Sequence, residues 1–385
     1  MVPTATETAI GAVLTDRLIR PLFQPIVDLS SRGVVGVEAL ARGPAGTDLE
    51  FPDRLFAAAR AVGRLGELDL LCAERALEIA LAAPVPPPLL FVNGEPSVMD
   101  QPVSPRLMEM LLAGLPFRHV LEFTERALPA VPGGLLRIAG AVQQLGNCLA
   151  LDDVGVDPMS LAFLPVLEPE VVKLDMSLLR DPGAAATRAV CAVVRSEATR
   201  AGAVVVAEGI ETEADLRTAR DLGARWGQGW LFGRPGAIEA VHDRFDAAAA
   251  GALRPSRPGF HQPAGSAFEA AAGFRPAAPG TAEDLTAELT RLRDLITADG
   301  NAVFVASFSA TEFPQLAETA AGLIGRTRSV ILLDDPLPGE LAAVVIGAGY
   351  GAALCARAGR GLEMVPLDRL PEVAVIARIL MNRRG

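Results

Sequence analysis

Seven short stretches of the chain each run from apolar, strand-forming residues into a carboxylate, an amide or a lysine. They are GVVGVEAL with Glu38, LLFVN with Asn93, HVLEFTE with Glu122 and Glu125, CLALDD with Asp152 and Asp153, VVKLD with Lys173 and Asp175, VVVAEGIE with Glu208 and Glu211, and GQGW with Gln228. Carboxylate and amide oxygens are hard donors that suit Mg²⁺, Mn²⁺ or Ca²⁺. Converging carboxylates repel and raise one another's pKa unless cations sit among them. Two such ions, roughly 3.5–4 Å apart, can hold both oxygens of a scissile phosphodiester. Lys173 adds a point positive charge for the attacking water or the developing phosphorane, and Glu208 is placed to take a proton or to complete a second metal. Taken singly, each has an ordinary reading: a DD pair caps a helix or forms a turn, and a lysine is solvated. Their recurrence in one pattern argues for a site.

Polar groups at the C-terminal ends of successive strands are how a (β/α) barrel builds an active site. Strand-like runs fall at 21–29, 33–41, 89–93, 119–125, 148–153, 171–175, 204–209 and 227–232. Helix-like stretches separate them, with apolar i, i+3, i+4 spacing clearest over 54–83 and a second stretch at 185–202. The third to seventh runs are uninterruptedly apolar, as in parallel strands buried on both faces. Only SSR parts the first two, which is hairpin spacing and predicts one antiparallel strand. The expected fold is therefore α/β: a TIM-like (β/α)8 barrel with one antiparallel strand over 14–244, then a small C-terminal α/β domain. Residues 245–280, rich in Pro, Gly and Ala, read as a linker between them, and 281–385 as the second domain.

The formal net charge of −11 and the lack of any Lys/Arg-rich run argue against a polymeric nucleic-acid or anionic-membrane partner. Cys72, Cys148, Cys191 and Cys355 are scattered without CxxC spacing and read as reduced thiols of a cytoplasmic protein. His119, His242 and His261 are too dispersed for a His-based zinc site. The opening MVPTATETAIGAVLTDR lacks the basic-then-apolar pattern of a signal peptide. The longest apolar run, 341–356, is too short for a membrane span. Within it, VVIGAGYGAA imitates a dinucleotide fingerprint, but the acid that should close that unit is misplaced at Glu363, and a strand-and-turn reading is preferred.

FQPIVDL, GVVGVEALAR, FVN, LEFTER, LALDDVG, KLD, VVAEGIET and QGWLFGRP follow one another over residues 14–240, and this series resembles the EAL domain of cyclic di-GMP phosphodiesterases. The resemblance implies hydrolysis of one phosphodiester of cyclic di-GMP to linear pGpG with two Mg²⁺ or Mn²⁺ ions, Ca²⁺ being expected to inhibit. By motif, Glu38, Asn93, Glu122 and Asp152 match metal ligands and Asp153 the second-metal ligand. Lys173 and Glu208 match the pair around the nucleophilic water. Leu40 and Arg42 match substrate contacts, Arg42 to a phosphate, and Gln24, Gln228 and Pro235 match binding or wall positions. Glu125 and Glu211 match residues that brace the loop after the DD pair.

Two departures stand out. The family's DDFGTGYSSL reads DDVGVDPMSL here, and that loop ordinarily places the second metal and mediates a homodimer. Asn93 is followed by Gly-Glu where Leu-Ser is common, a variant similar to an actinobacterial branch. The altered loop leaves open an alternative, a weak or inactive domain that acts as a cyclic di-GMP receptor. NAVFVASFSATEF and AVVIGAGYGAALCAR resemble a DICT sensory domain, which implies a regulatory input.

Overall fold

In the computed structural model, residues 4–95, 102–124, 132–157, 159–323, 329–333 and 337–383 are described. Eight strands close into a barrel in chain order. They are β1 (Leu22–Asp28), β2 (Val34–Leu40), β3 (Leu89–Asn93), β4 (Arg118–Thr124), β5 (Cys148–Val154), β6 (Val171–Leu174), β7 (Val204–Ala207) and β8 (Trp226–Gln228). β1 is antiparallel to both of its neighbours, as the short SSR connection predicts, and the remaining pairs are parallel.

Side chains alternate across the strands. Ile26, Val35, Phe91, Val120, Ala150, Val171, Val206 and Trp226 share a cluster that fills the barrel interior. Val27, Val37, Leu90, Val92, Leu149, Leu151, Val172 and Val205 face the surrounding helices. Those helices are α2 (Pro52–Ala61), α3 (Leu65–Ala82), α4 (Pro105–Leu112), α5 (Pro132–Gln144), α6 (Ser160–Leu167), α7 (Met176–Arg180), α8 (Ala185–Ala201) and α9 (Glu213–Asp221). Ahead of them, α1 (Ala5–Thr15) is started by a capping box between Thr4 and Glu7. Its Ile10 and Val13 pack with Leu55, Leu68 and Leu71 of α2 and α3, so the barrel body takes in residues before position 14.

Residues 245–280, read above as a linker, carry α10 (Ala247–Ala250), α11 (Ala267–Phe274) and the short β9 (Ala278–Gly280). Much of the stretch is tied down: Leu253, Ala267, Phe268 and Ala271 are buried, and β9 pairs with a strand of the second sheet. Its small residues let it run close against the barrel, which composition alone cannot distinguish from a connector.

The C-terminal unit contains α12 (Ala282–Ala298), β10 (Val303–Ser307), α13 (Pro314–Leu323), β11 (Ser329–Leu333), β12 (Glu340–Gly347), β13 (Tyr350–Ala358), β14 (Leu362–Leu367) and α14 (Leu370–Arg383). Its six-stranded sheet has the order β11-β10-β12-β13-β14-β9. The apolar run at 341–356 forms the β12–β13 hairpin, turned at Ala348 and Gly349, with Gly349 at φ 80°. No helix follows the glycines, so the imitation fingerprint is not a dinucleotide loop.

One face of this sheet packs on α12 and α13. The other face packs on α14, which in turn lies against α5 and α6 of the barrel. Val303, Val344 and Cys355 of the sheet thus belong to the same apolar cluster as the barrel helices. Such a cluster is why α14 is apolar almost all round, with Val373, Ala374, Ile376, Ala377, Ile379, Leu380 and Met381 buried. Among the described residues, no helix is long and apolar enough to cross a membrane.

Candidate active site

The C-terminal ends of the strands gather the carboxylates foreseen from the sequence around one ammonium. Lys173 Nζ lies 3.5 Å from Glu38, 3.1 Å from Glu122, 3.1 Å from Asp152 and 2.8 Å from Glu208. Lys173 is fully buried, and Glu38, Glu122 and Asp152 are buried with it. Glu38 also accepts from Asn93 Nδ2 at 2.9 Å and from Gln228 Nε2 at 2.7 Å. Gln228 Nε2 donates to Gln24 Oε1 as well, and Gln24 Nε2 donates to the Gly233 carbonyl. β1, β2, β3 and β8 are therefore joined by side chains above the apolar interior.

One lysine has three N–H bonds for four carboxylates. Glu122 Oε1 and Asp152 Oδ1 lie at ion-pair distance but outside hydrogen-bond geometry, and Glu122 Oε2 accepts no hydrogen bond from the polypeptide's N–H groups either. Buried acceptors left this way are costly unless something absent from the polypeptide completes them.

The electrostatics agree. Burial, helped by the neighbouring carboxylates, raises Glu122 against the pull of Lys173, so its carboxyl sits well above the ordinary range. Burial likewise pushes Glu208 up to about 8. Glu38 is also desolvated, yet Lys173 and the bonds from Gln228 and Asn93 bring it below the usual value. Burial pulls Lys173 down, but the four carboxylates hold the ammonium well above its normal range. Without cations, then, this cluster keeps protons on some of its acids.

Asp152 and Asp153 adjoin in sequence, and in a regular strand they would point to opposite faces. β5 avoids this with a bulge: Leu151 pairs with Val172 and Val154 with Leu174, leaving both aspartates opposite Lys173. Asp153 adopts φ 56°, the left-handed region that non-glycine residues seldom occupy. Oxygens of Asp152, Asp153 and Glu208 consequently lie within 4.8 Å of one another. The donor set is all oxygen and mostly anionic, which fits hard divalent cations.

Of the other positions singled out from the sequence, Leu40 and Arg42 line a cleft of about 170 Å³ beside the mouth, together with Asn93 and Val92. Arg42 Nη1 is held by the Ala41 carbonyl at 2.8 Å. Pro235 sits half-buried in the rim segment after β8, between the Gly233 carbonyl that binds Gln24 and Gly236, which bridges to Phe23 of β1. Glu211 pairs with Arg180 at 3.4 Å, so it ties α7 to the segment that leads into α9. Glu125 lies outside the described residues, as does Pro158 of the variant loop. Asp157 of that loop accepts from the Met159 amide at 3.0 Å and leads directly into α6.

Asp69 was not foreseen. It lies on the buried face of α3, accepts from the Glu95 amide behind Asn93 and is pushed up to about 7 by burial. A lone Asp between Leu68 and Leu71, on the apolar stripe of α3, was the available signal.

The barrel has relatives among known proteins. The EAL domain family matches residues 8–235. A relative from Escherichia coli (strain K12), described as probable cyclic di-GMP phosphodiesterase PdeB, is 31% identical over 219 residues, covering 55% of this chain and 42% of the relative. The chain spans less than half the length of the curated relatives it matches. Among solved structures, the manganese/cyclic di-GMP complex of Klebsiella pneumoniae BlrP1 at pH 6 is 30% identical with a TM-score of 0.51, over 57% of this chain and 56% of that one. The c-di-GMP complex of the PaMucR phosphodiesterase is 21% identical with a TM-score of 0.53, over 62% of this chain and all of that one, a likeness of fold. More than half of the chain is matched by one family: the chain belongs to the EAL domain family.

Proposed function

We propose that the barrel hydrolyses one phosphodiester bond of cyclic di-GMP to linear pGpG in the presence of Mg²⁺ or Mn²⁺, and that the C-terminal unit adjusts this activity. The observation that carries the reading is the buried surplus of acid at the mouth, four carboxylates around one lysine with orphaned oxygens on Glu122 and Asp152. Glu38, Asn93, Glu122 and Asp152 would hold one cation, and Asp153 with Asp152 and Glu208 would hold a second. When bound, the cations neutralise charge on the phosphoryl oxygens and acidify water.

The chain's own groups then divide the remaining work. Lys173 stays protonated at the floor of the mouth, where its positive charge favours an anionic phosphorane over the neutral alternative. Glu208 Oε1, 2.8 Å from Nζ, is positioned to hold a proton taken from the attacking water. Arg42 on the rim offers a fixed cation to a substrate phosphate, and Leu40 gives the cleft an apolar wall. Gln24 and Gln228 keep Glu38 oriented, and Pro235 stiffens the rim beside them.

Regulation by the C-terminal unit is supported by where it docks. α6 starts directly after the loop that carries Asp153, and all eight of its residues are buried. Arg378 of α14, itself buried, donates to the Pro165 and Val166 carbonyls at the end of α6, at 3.1 and 3.2 Å. A shift of α14 therefore moves the helix attached to the second-metal loop. The homodimer implied by the resemblance would need a surface other than α6.

The test is turnover of cyclic di-GMP by the full chain with Mn²⁺, reading pGpG by chromatography beside a binding assay in Ca²⁺. Product that vanishes with EDTA is expected. Binding without product would favour the receptor reading and locate the defect in residues 154–160. Neither binding nor product would overturn both.

A further inference from the structure

Just beyond Lys173 the chain turns from β6 into α7, a helix of 5 residues that lies between two loops of the mouth. On one side is the loop that follows Asp152 and Asp153. There the Asp175 amide donates to the Val154 carbonyl at 3.2 Å, and a Cβ on Gly155 would come within 2.7 Å of Leu178. On the other side is the connection that follows Glu208. The Glu208 amide donates to the Leu174 carbonyl at 3.1 Å, and a Cβ on Gly209 would come within 2.5 Å of Met176. Glycine is required at both contacts, since any side chain would push α7 away. The helix is thus a wedge, and its two flanks set how far the Asp153 loop stands from Glu208.

So short a helix has too few internal hydrogen bonds to keep this place unaided. Arg180, its last residue, supplies the missing hold. Nη2 donates to the carbonyl of Gly209, the residue after Glu208, at 3.2 Å. Nη1 donates to Asp215 Oδ1 at 3.3 Å, and Glu211 lies 3.4 Å away. Asp215 Oδ2 in turn accepts from the Glu211 and Thr212 amides, at 3.1 and 2.9 Å. A lone surface ion pair contributes little. Here one planar fork meets a backbone carbonyl and two carboxylates of a single connection, which fixes geometry as well as charge.

We propose that Arg180 is a positioning residue for the second cation. It latches α7 to the β7–α9 connection and so keeps Glu208 near Asp152 and Asp153, whose oxygens lie within 4.8 Å of its own. The inference rests on the reading of the mouth as a two-cation site. Arg180 touches none of the three acids, and it acts through the backbone that carries Glu208.

Hydrogen–deuterium exchange of the full chain, read over residues 204–216, tests the latch without calling on activity. In folded Arg180→Met, the amides of 208–212 should exchange at least about tenfold faster than in the native chain, with β1 and β2 unchanged. Mn²⁺ affinity, measured by calorimetry, should weaken about tenfold, as it does when the support behind a metal ligand is lost. At the Mn²⁺ concentration that half-saturates the native chain, turnover of cyclic di-GMP should then be about fivefold lower and recover in excess Mn²⁺. Arg180→Lys keeps the charge without the fork, so it should fall between the two, and it replaces the Met variant should that one misfold. An arginine that merely stabilises the fold would lower the unfolding midpoint and leave these properties of the folded protein unchanged. Native exchange over 208–212 in a folded variant, or faster exchange with native Mn²⁺ affinity, would overturn the proposal. A native chain that binds Mn²⁺ but forms no product would overturn the phosphodiesterase reading alone, since exchange and Mn²⁺ affinity still judge the latch. A native chain that takes up no Mn²⁺ would overturn both.

Discussion

The two ends of the barrel both bury glutamates, and they treat them in opposite ways. At the N-terminal end, Glu168 and Glu170 precede β6. Both oxygens of Glu170 accept hydrogen bonds, from Gln143 at 3.0 Å and from the Leu149 amide at 2.9 Å, and Arg254 lies 2.6 Å away. Glu168 meets Arg200 at 2.5 Å and Arg257 at 2.7 Å. Guanidinium groups match the carboxylates there, so each oxygen of Glu168 and Glu170 meets a donor or cation of the polypeptide, while the unanswered atoms are nitrogens of Arg254 and Arg257. At the C-terminal end, four carboxylates share one lysine, and buried oxygens stay unanswered. Cations of the chain for every buried carboxylate are what a structural ion network needs. The incomplete set makes sense when cations from solution finish it.

The largest expected effect is on turnover. Glu38→Ala should lower it about 10³-fold or more, since Glu38 is held by Asn93, Gln228 and Lys173 at once. Circular dichroism should show the fold retained. Unchanged turnover would remove Glu38 from the site.

Stability should separate the two ends next. Without metal, folded Glu122 keeps its proton far above the pH at which the unfolded chain releases it. The folded state then binds more protons than the unfolded state, and stability falls as pH rises above about 4.5. Glu122→Gln removes that dependence and should stabilise the metal-free protein by about 1–3 kcal/mol at pH 7, the gain fading towards pH 4.5. Glu168→Gln should do the reverse and cost about 2 kcal/mol, because partly buried arginines lose their counter-charge. Urea unfolding measures both, and equal signs would erase the contrast between the ends.

Metal binding should also displace protons from the mouth. Glu208, at about 8, and Glu122 hold them in the metal-free cluster. Mn²⁺ affinity should therefore weaken as pH falls from 8 to 6, by up to about tenfold per pH unit for each proton released. Calorimetry in two buffers of different ionisation enthalpy counts those protons, and a count of zero would contradict the assigned directions.

The smallest expected effect concerns the contact between the two units. Arg378→Met removes a buried cation but leaves the Pro165 and Val166 carbonyls without their donor, so stability should fall by about 1–3 kcal/mol. Turnover should shift about two- to fivefold if α14 steadies α6 and the loop before it. Equal turnover of the folded variant and the native chain would leave the docked helix without influence on the site.

The mouth was legible in the sequence because each strand there is an apolar run that stops at a polar residue. LALDD and VVVAEG show the pattern most plainly, and the SSR link disclosed the antiparallel strand. The bulge at Asp152 and Asp153 was not legible, since backbone register depends on the neighbouring strand. Nor was the N-terminal ion network: Arg254 and Arg257 lie in a Pro- and Gly-rich stretch that looks solvated until it is seen against the glutamates before β6. The α14 helix was readable as a helix, but its use as a shared layer depends on contacts with α5 and α6 that no local pattern encodes.

The account's central claim is that divalent cations complete the mouth. Thermal unfolding with and without Mn²⁺, run side by side on the native chain and on Glu122→Gln, tests it most directly. The expected result is a Mn²⁺-dependent rise in midpoint for the native chain and little or none for the variant, which starts higher without metal. Equal responses of the two proteins to Mn²⁺, or no response in either, would contradict the claim.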